Sequence, residues 1–398
     1  MKTLNKLIFT TLRGRRAAVL ASDKRILQFE FEGETAAGEI GTIYIGKVRN
    51  VVKNLNAAFV EYKPGVNGYY SLNDNHVHTF ADGSRSDRAL KSGDEIVVQI
   101  SRAAVKTKDA VLSGELTLTG RYTAVMARNG NGTTLGISSK IKDKKWREAW
   151  KAQWESATSE YLNDYNHSFI IRTNAYETSF EDVFEEAKRL SEHLNTLCRN
   201  AVFRTPHSVL YRPDSFAVAK VRDLYRHDSM EIITDDPNVY DELNNCGHMD
   251  LNVRFYEDSY PLASLYHLET SLERALGKTV WLKSGGYLVI EPTEAMTVID
   301  VNTGKNVEKK TPEEIYLKTN LEAAAEIAVQ MRLRNLSGII IVDFIDMKEE
   351  AHNAELLNVF RQHLSQDPVK TTLVDMTALG LVEVTRKKVR QPLYEQLK

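Results

Sequence analysis

Three polar side chains stand where two apolar runs end: Asp300 and Asn302 at the close of Met296-Thr297-Val298-Ile299, and Asp343 after Ile339-Ile340-Ile341-Val342. Carboxylate and amide oxygens are hard donors. Two acids and an amide carbonyl brought together suit Mg²⁺ or Mn²⁺ and do not suit zinc. A cation held that way polarises a phosphate and lowers the pKa of a bound water, which is the chemistry of phosphodiester hydrolysis. A lone aspartate after a strand is more often a capping residue, so this reading requires the fold to join the two strand ends.

The elements that would join them are legible. Both apolar runs are short and β-branched, which predicts strands buried on both faces, and acids at strand ends fall where open α/β sheets place their sites. Asp300 and Asn302, two apart, leave their strand on the same face. Between the strands, Thr311 can N-cap a helix, Pro312 suits its first position and Glu314 completes a capping box. Leu321, Ala324, Ala325, Ala328 and Met331 mark one face of that helix, and Gly338 closes the turn into the next strand. Strand, crossover helix and strand predict a parallel adjacent pair, in which Asp300 and Asp343 meet.

Elsewhere the chain changes character several times. Residues 6–10, 16–20 and 26–31 alternate like strands. Ile43–Val48, Ala57–Tyr62, Gly68–Leu72 and Glu95–Ile100 are short strands with the rhythm of a small β-barrel. In the next stretch, Lys145–Trp150 and Phe180–Asn195 read as helices around the strand Ser168–Thr173. Asp235-Asp236-Pro237 reads as a turn and helix cap rather than a second metal site. Arg386-Lys387-Lys388-Val389-Arg390 could track phosphates or form a solvated helix face.

A length of 398 residues implies two or more domains, and the net charge of −2 confines any basic footprint among the 52 Lys and Arg to one face. Cys198 and Cys246 are the only cysteines and form no C-x-x-C, so neither a zinc site nor a disulfide framework is expected. With no signal peptide or membrane-length apolar run, the expected location is cytoplasmic.

Several long segments in order resemble the catalytic region of the ribonuclease E/G family. They are Ser284-Gly285-Gly286, Pro292-Thr293-Glu294-Ala295, Asp300-Val301-Asn302, Asn320-Leu321-Glu322-Ala323-Ala324, Val342-Asp343-Phe344-Ile345-Asp346-Met347 and Gly380 through Arg386. Weaker similarity extends back to the N-terminus. The resemblance implies an α+β multidomain fold. An RNase H-like subdomain (1–35 and 211–278) is interrupted by an S1-type OB barrel (36–120) and a 5′-sensor region (121–210), and a DNase I-like α/β catalytic subdomain follows (279–398).

For individual residues, the resemblance makes Asp300 and Asp343 the ligands of a catalytic Mg²⁺ and Asn302 the group that positions the scissile phosphate. It places Phe59, Tyr69 and Lys108 against single-stranded RNA, although on residue type alone both aromatics suit a barrel core. It assigns Arg172, Thr173 and Lys370 to sensing of a 5′-monophosphate. There the chain departs from the pattern, because Ser139, Lys140 and Lys370 stand where the family has arginines, and a lysine lacks the bidentate fork. Many members also carry a C-P-x-C zinc link between protomers. No cysteine follows Cys246, so the expectation is a minimal, G-like core that leaves room for a homodimer and speaks against a zinc-linked tetramer. The expected activity is endonucleolytic hydrolysis of single-stranded RNA to 5′-phosphate and 3′-OH ends. The rival is a non-catalytic binder of AU-rich RNA.

Overall fold

A computed structural model describes residues 5–23, 25–33, 39–104, 108–127, 134–161, 167–224, 230–246, 251–304 and 311–397. Contacts divide the chain into two compact units, 33–224 and the combination of 1–32 with 225–398. The protein is a mixed α+β molecule, and no described helix is long and apolar enough to cross a membrane.

Within 33–224, the strands Ile43–Val52, Ala57–Lys63, Val66–Ser71, Ala110–Ser113 and Glu95–Arg102 pair in that order, and the last returns to the first. The result is a closed five-stranded barrel, consistent with an OB-like domain. Alternation along Ala57–Lys63 sends Ala58, Val60 and Tyr62 inward to meet Tyr44, Tyr70, Ile96 and Val98. A four-stranded sheet in the same unit packs against the helices Lys144–Tyr161 and Phe180–Asn200. Ser179 N-caps the second helix by accepting from the Asp182 N–H.

The other unit holds two sheets. In one, Val253–Phe255, Met230–Thr234, Asn5–Leu12, Arg15–Ala21 and Ile26–Phe31 lie side by side. Asp236 N-caps the adjoining helix Pro237–Asn244, as a cap reading requires, and also pairs with Arg16 at 2.9 Å. The second sheet runs Thr279–Trp281, Tyr287–Pro292, Met296–Asn302, Gly338–Asp343, Leu381–Arg386, Thr371–Met376. Its strands are antiparallel except for the central pair, Met296–Asn302 with Gly338–Asp343, which is parallel and joined by the expected helix, Pro312–Leu333. The Thr311–Glu314 capping box is present. The helix stops at Asn335, a left-handed residue (φ 48°), before Gly338 is reached.

The expectation of strands buried on both faces is corrected. Thr297, Ile299, Val301, Ile340 and Val342 face a core completed by the helices Pro312–Leu333 and Glu350–Ser365. The opposite face, with Met296, Val298 and Ile339, is exposed. A run of β-branched residues does not distinguish a strand covered twice from one covered once, and the other strands of this sheet lack the crossovers that would carry helices to the second face.

Candidate active site

The bare face is where the carboxylates stand. Asp300 and Asp343 are register partners across the parallel pair, so their side chains leave adjacent strands on the same side. Asn302 leaves the Asp300 strand on that face too, and its Nδ2 donates to Asp300 Oδ2 at 2.7 Å. The Asp343 carboxyl is held above the usual carboxylate range, first by partial burial and then by the negative charges of Asp300 and Asp346. None of these three acids has an ion-pair partner among the described residues. Like charges converging without a cation mark a functional site more often than a structural one.

The surrounding turns are fixed by buried polar side chains. Asn320, fully buried on the crossover helix, donates to the Ile345 carbonyl at 2.8 Å and accepts from the Ile345 N–H at 3.0 Å, pinning the chain two residues beyond Asp343. Two residues on, Glu322 accepts from the backbone N–H groups of Lys283 and Ser284 at 2.6 and 3.1 Å, holding the turn that opens the Tyr287–Pro292 strand. That strand pairs Tyr287 with Asn302, and a Cβ at Gly286 would lie 2.7 Å from the Asn302 carbonyl oxygen, so only glycine fits. Reading the helix for its apolar stripe passes over Asn320 and Glu322 as positioning residues. The signal is a fully buried amide, Asn320, amid the small apolar residues of the helix, with the partly buried Glu322 leaving the helix on a different side.

In the barrel, Phe59 and Tyr69 are not core residues. They are register partners on the outer face, half-buried and packed edge to face at 6.2 Å between ring centres. Tyr69 is also paired with Val111, three residues beyond the exposed Lys108. Two rings thus stand side by side on the outer face of the barrel, the arrangement on which bases of a single strand can stack.

The Arg172 guanidinium is already engaged. It pairs with Asp223 at 2.8 Å and donates to the Gly120 carbonyl, while Thr173 Oγ1 shares a hydrogen bond of 3.2 Å with Ser138. Burial pushes the Asp223 carboxyl up, yet Arg172 and Arg222 together hold it below its ordinary value. Ser139 and Lys140 follow the Thr134–Ile137 strand, and Lys370, exposed, belongs to the other unit. Arg386 does not lie in a solvated helix. It closes a strand, is buried, pairs with Asp367 at 2.8 Å and donates to Asn335 Oδ1 and the Leu336 carbonyl at 2.9 Å. The basic stretch thus begins with a structural ion pair, and only Lys387, Lys388, Val389 and Arg390 are exposed.

Unpaired carboxylates on an open sheet face, in a chain that also builds an aromatic-faced barrel, define an enzyme that works on nucleic acid. Comparison with known proteins narrows the class. Residues 117–389 match the model of the Ribonuclease E/G family. Ribonuclease G of Salmonella typhimurium is 33% identical over 384 residues, covering 93% of this chain and 77% of that protein. Ribonuclease G of Escherichia coli is 32% identical over 386 residues, with the same coverage. Ribonuclease E of a Nostoc species is 32% identical over 389 residues, and there the match spans 95% of this chain and 55% of the relative. The chain belongs to the ribonuclease E/G family, a family of endoribonucleases.

Proposed function

We propose that this chain is a Mg²⁺-dependent endoribonuclease that hydrolyses single-stranded RNA to 5′-phosphate and 3′-OH ends in RNA processing and decay. The observation that carries the reading is the register pair Asp300 and Asp343 with Asn302 beside them, uncompensated on an open face. Among the described residues no group of three or more His, Cys, Asp or Glu side chains is placed to hold a metal ion without other donors. Two carboxylates and an amide oxygen leave most of a coordination shell to water, which suits Mg²⁺, a cation that keeps several waters, and does not suit a closed zinc cage.

Asp300 and Asp343 would hold the cation, with Mn²⁺ as its nearest substitute. When bound, it supplies positive charge against the phosphate and an acidified water. Asn302 fixes the Asp300 carboxylate through its Nδ2 donor and orients the phosphate or the water. Asp343 acts as a carboxylate, and its neighbours favour its protonation in the metal-free protein, so protons compete with the cation for this group at low pH. The Phe59–Tyr69 pair stacks bases and Lys108 meets phosphate. Arg172 and Thr173 recognise a 5′-monophosphate, with Lys370 adding positive charge.

The same reading assigns subdomains. Strand order in the five-stranded sheet and its split in sequence support an RNase H-like part at 1–35 and 211–278. The closed barrel supports an S1-type module at 36–120, the following sheet and helices a 5′-sensor at 121–210, and the bare-faced sheet a DNase I-like part at 279–398. The proposed location is the cytoplasm and the proposed assembly a homodimer.

The test is cleavage of a 5′-labelled unstructured RNA with Mg²⁺ and then with EDTA. The wild-type chain cuts in Mg²⁺ and stops in EDTA, and Asp300→Asn and Asp343→Asn each abolish cutting while RNA binding persists. Asn302→Ala slows turnover less, because it removes orientation and no charge. Full cleavage by either aspartate variant, or binding by the wild type without cleavage, overturns the reading.

A further inference from the structure

A cavity of about 300 Å³ opens immediately beyond Asp343, and the reaction above leaves it without a role. Its floor and walls include Phe344, Met347, Met376 and Leu379, with Asp346 and Asn353 as polar edges. The outer wall is the hairpin between Thr371–Met376 and Leu381–Arg386. Leu381, at its base, is the register partner of Asp343, so the cavity adjoins the site through the sheet itself.

The hairpin tip is held in place. Thr377 N–H donates to the Leu381 carbonyl at 2.8 Å, Gly380 N–H to the Thr377 carbonyl at 2.9 Å, and Thr377 Oγ1 accepts from the N–H groups of Leu379 and Leu381. At Gly380 φ is +82°, and a Cβ there would sit 3.4 Å from Asp346 Oδ1, so the carboxylate rests over the bare glycine. Leu379, 83% exposed, projects from this tip as a large apolar side chain with nothing covering it. Asp346 itself is exposed and has no hydrogen bond or ion pair among the described residues.

A recess of this size, mostly polar at its surface, with the thioethers of Met347 and Met376 and the Leu379 side chain among its lining and Asp346 as an acceptor, suits a flat heterocycle with a polar edge. We propose that the cavity seats the nucleobase next to the scissile phosphate, and that Asp346 selects bases presenting an exocyclic amino group over uracil. An ionised carboxylate only accepts hydrogen bonds. Cytosine N4, adenine N6 and guanine N2 donate to it, whereas uracil turns carbonyl oxygens toward it on either side of its single N3–H. Met376 and Leu379 would flank the ring. The inference rests on the nuclease reading and adds its sequence preference.

The experiment scans each of the two nucleotides on either side of one cleavage site through A, C, G and U in an otherwise constant RNA, with kcat/KM measured at saturating Mg²⁺. At one flanking position, uracil is expected to be cut about five- to tenfold more slowly than the amino bases. Asp346→Asn, whose amide both donates and accepts, reduces that ratio toward one, and Leu379→Ala raises KM at every base. Equal rates for all four bases at all positions in the wild type overturn the pocket assignment and leave the nuclease intact. So does an Asp346→Asn variant that keeps the preference but needs more Mg²⁺, which would make Asp346 a positioning residue for the cation. Absence of cleavage by the wild type under every condition overturns the nuclease reading, and the pocket falls with it.

Discussion

Asp343 is the residue whose chemistry and whose cost to the fold are the same thing. Its carboxyl, on the open face but partly desolvated and near Asp300 and Asp346, has a folded-state pKa above its value in the unfolded chain. The folded form therefore binds more protons in the interval between the two values, and stability falls as pH rises through that interval. Above it, the metal-free protein carries the full repulsion. Asp343→Asn removes that repulsion, so in EDTA the variant melts at a higher temperature than the wild type at about pH 7, and the difference disappears below the ordinary carboxylate range. Adding Mg²⁺ raises the melting temperature of the wild type and leaves that of the variant in place, because only the wild type can bind the cation tightly. Differential scanning calorimetry across pH, with and without Mg²⁺, reads both effects. Identical melting of the two proteins in EDTA would show that the three acids do not repel one another.

At the scale of the element, two strands decide what is structural and what is free to bind. In Ala57–Lys63, Phe59 points away from a core that Ala58 and Val60 already fill. Phe59→Ala and Tyr69→Ala should each weaken single-stranded RNA binding by about 1–3 kcal/mol while the barrel still melts cooperatively. Lys108→Ala should mainly flatten the dependence of binding on salt. Loss of the folded barrel in Phe59→Ala would return the ring to the core. In Leu381–Arg386 the opposite holds. The Arg386–Asp367 pair has both side chains only 3% exposed and ties this strand to the end of the helix Glu350–Ser365, while Arg386 also donates to Asn335 and Leu336 in the turn after the crossover helix. Asp367→Ala leaves a buried guanidinium without its partner and should cost about 3–5 kcal/mol in chemical denaturation. A loss smaller than about 1 kcal/mol would place Arg386 among the solvated cations.

At the scale of the whole molecule, the contacts divide the chain so that the barrel and Arg172 fall in 33–224 and the carboxylates in the other unit. A fragment of residues 33–224 keeps its two hydrophobic cores. It should bind single-stranded RNA, measured by fluorescence anisotropy, and cut none. In the full chain, RNA with a 5′-monophosphate should be cut about tenfold faster than the same RNA with a 5′-hydroxyl, and Arg172→Ala should erase the difference. The low end of the charge-assisted range applies because Asp223 and the Gly120 carbonyl already occupy part of the guanidinium, and Lys140 and Lys370 offer point charges. Equal rates on the two RNAs would remove the sensor and keep the nuclease.

The sequence by itself determined the parallel pair and its crossover. Capping at Thr311–Glu314, helical spacing and two β-branched runs are local signals, each set by residues close in the chain. From them the meeting of Asp300 with Asp343 follows. Local pattern also placed the barrel strands, since alternation has a fixed period of two. Three things were decided only by tertiary structure. One face of the catalytic sheet is left open, because burial depends on which crossovers carry helices and not on the composition of the strand. Phe59 and Tyr69 face outward, because a one-residue change in register would have exchanged their face for that of Ala58 and Tyr70. Arg386 is a core ion pair, because its partner Asp367 lies earlier in the chain, before the preceding strand, and a basic run reads as solvated until the fold closes over its first residue.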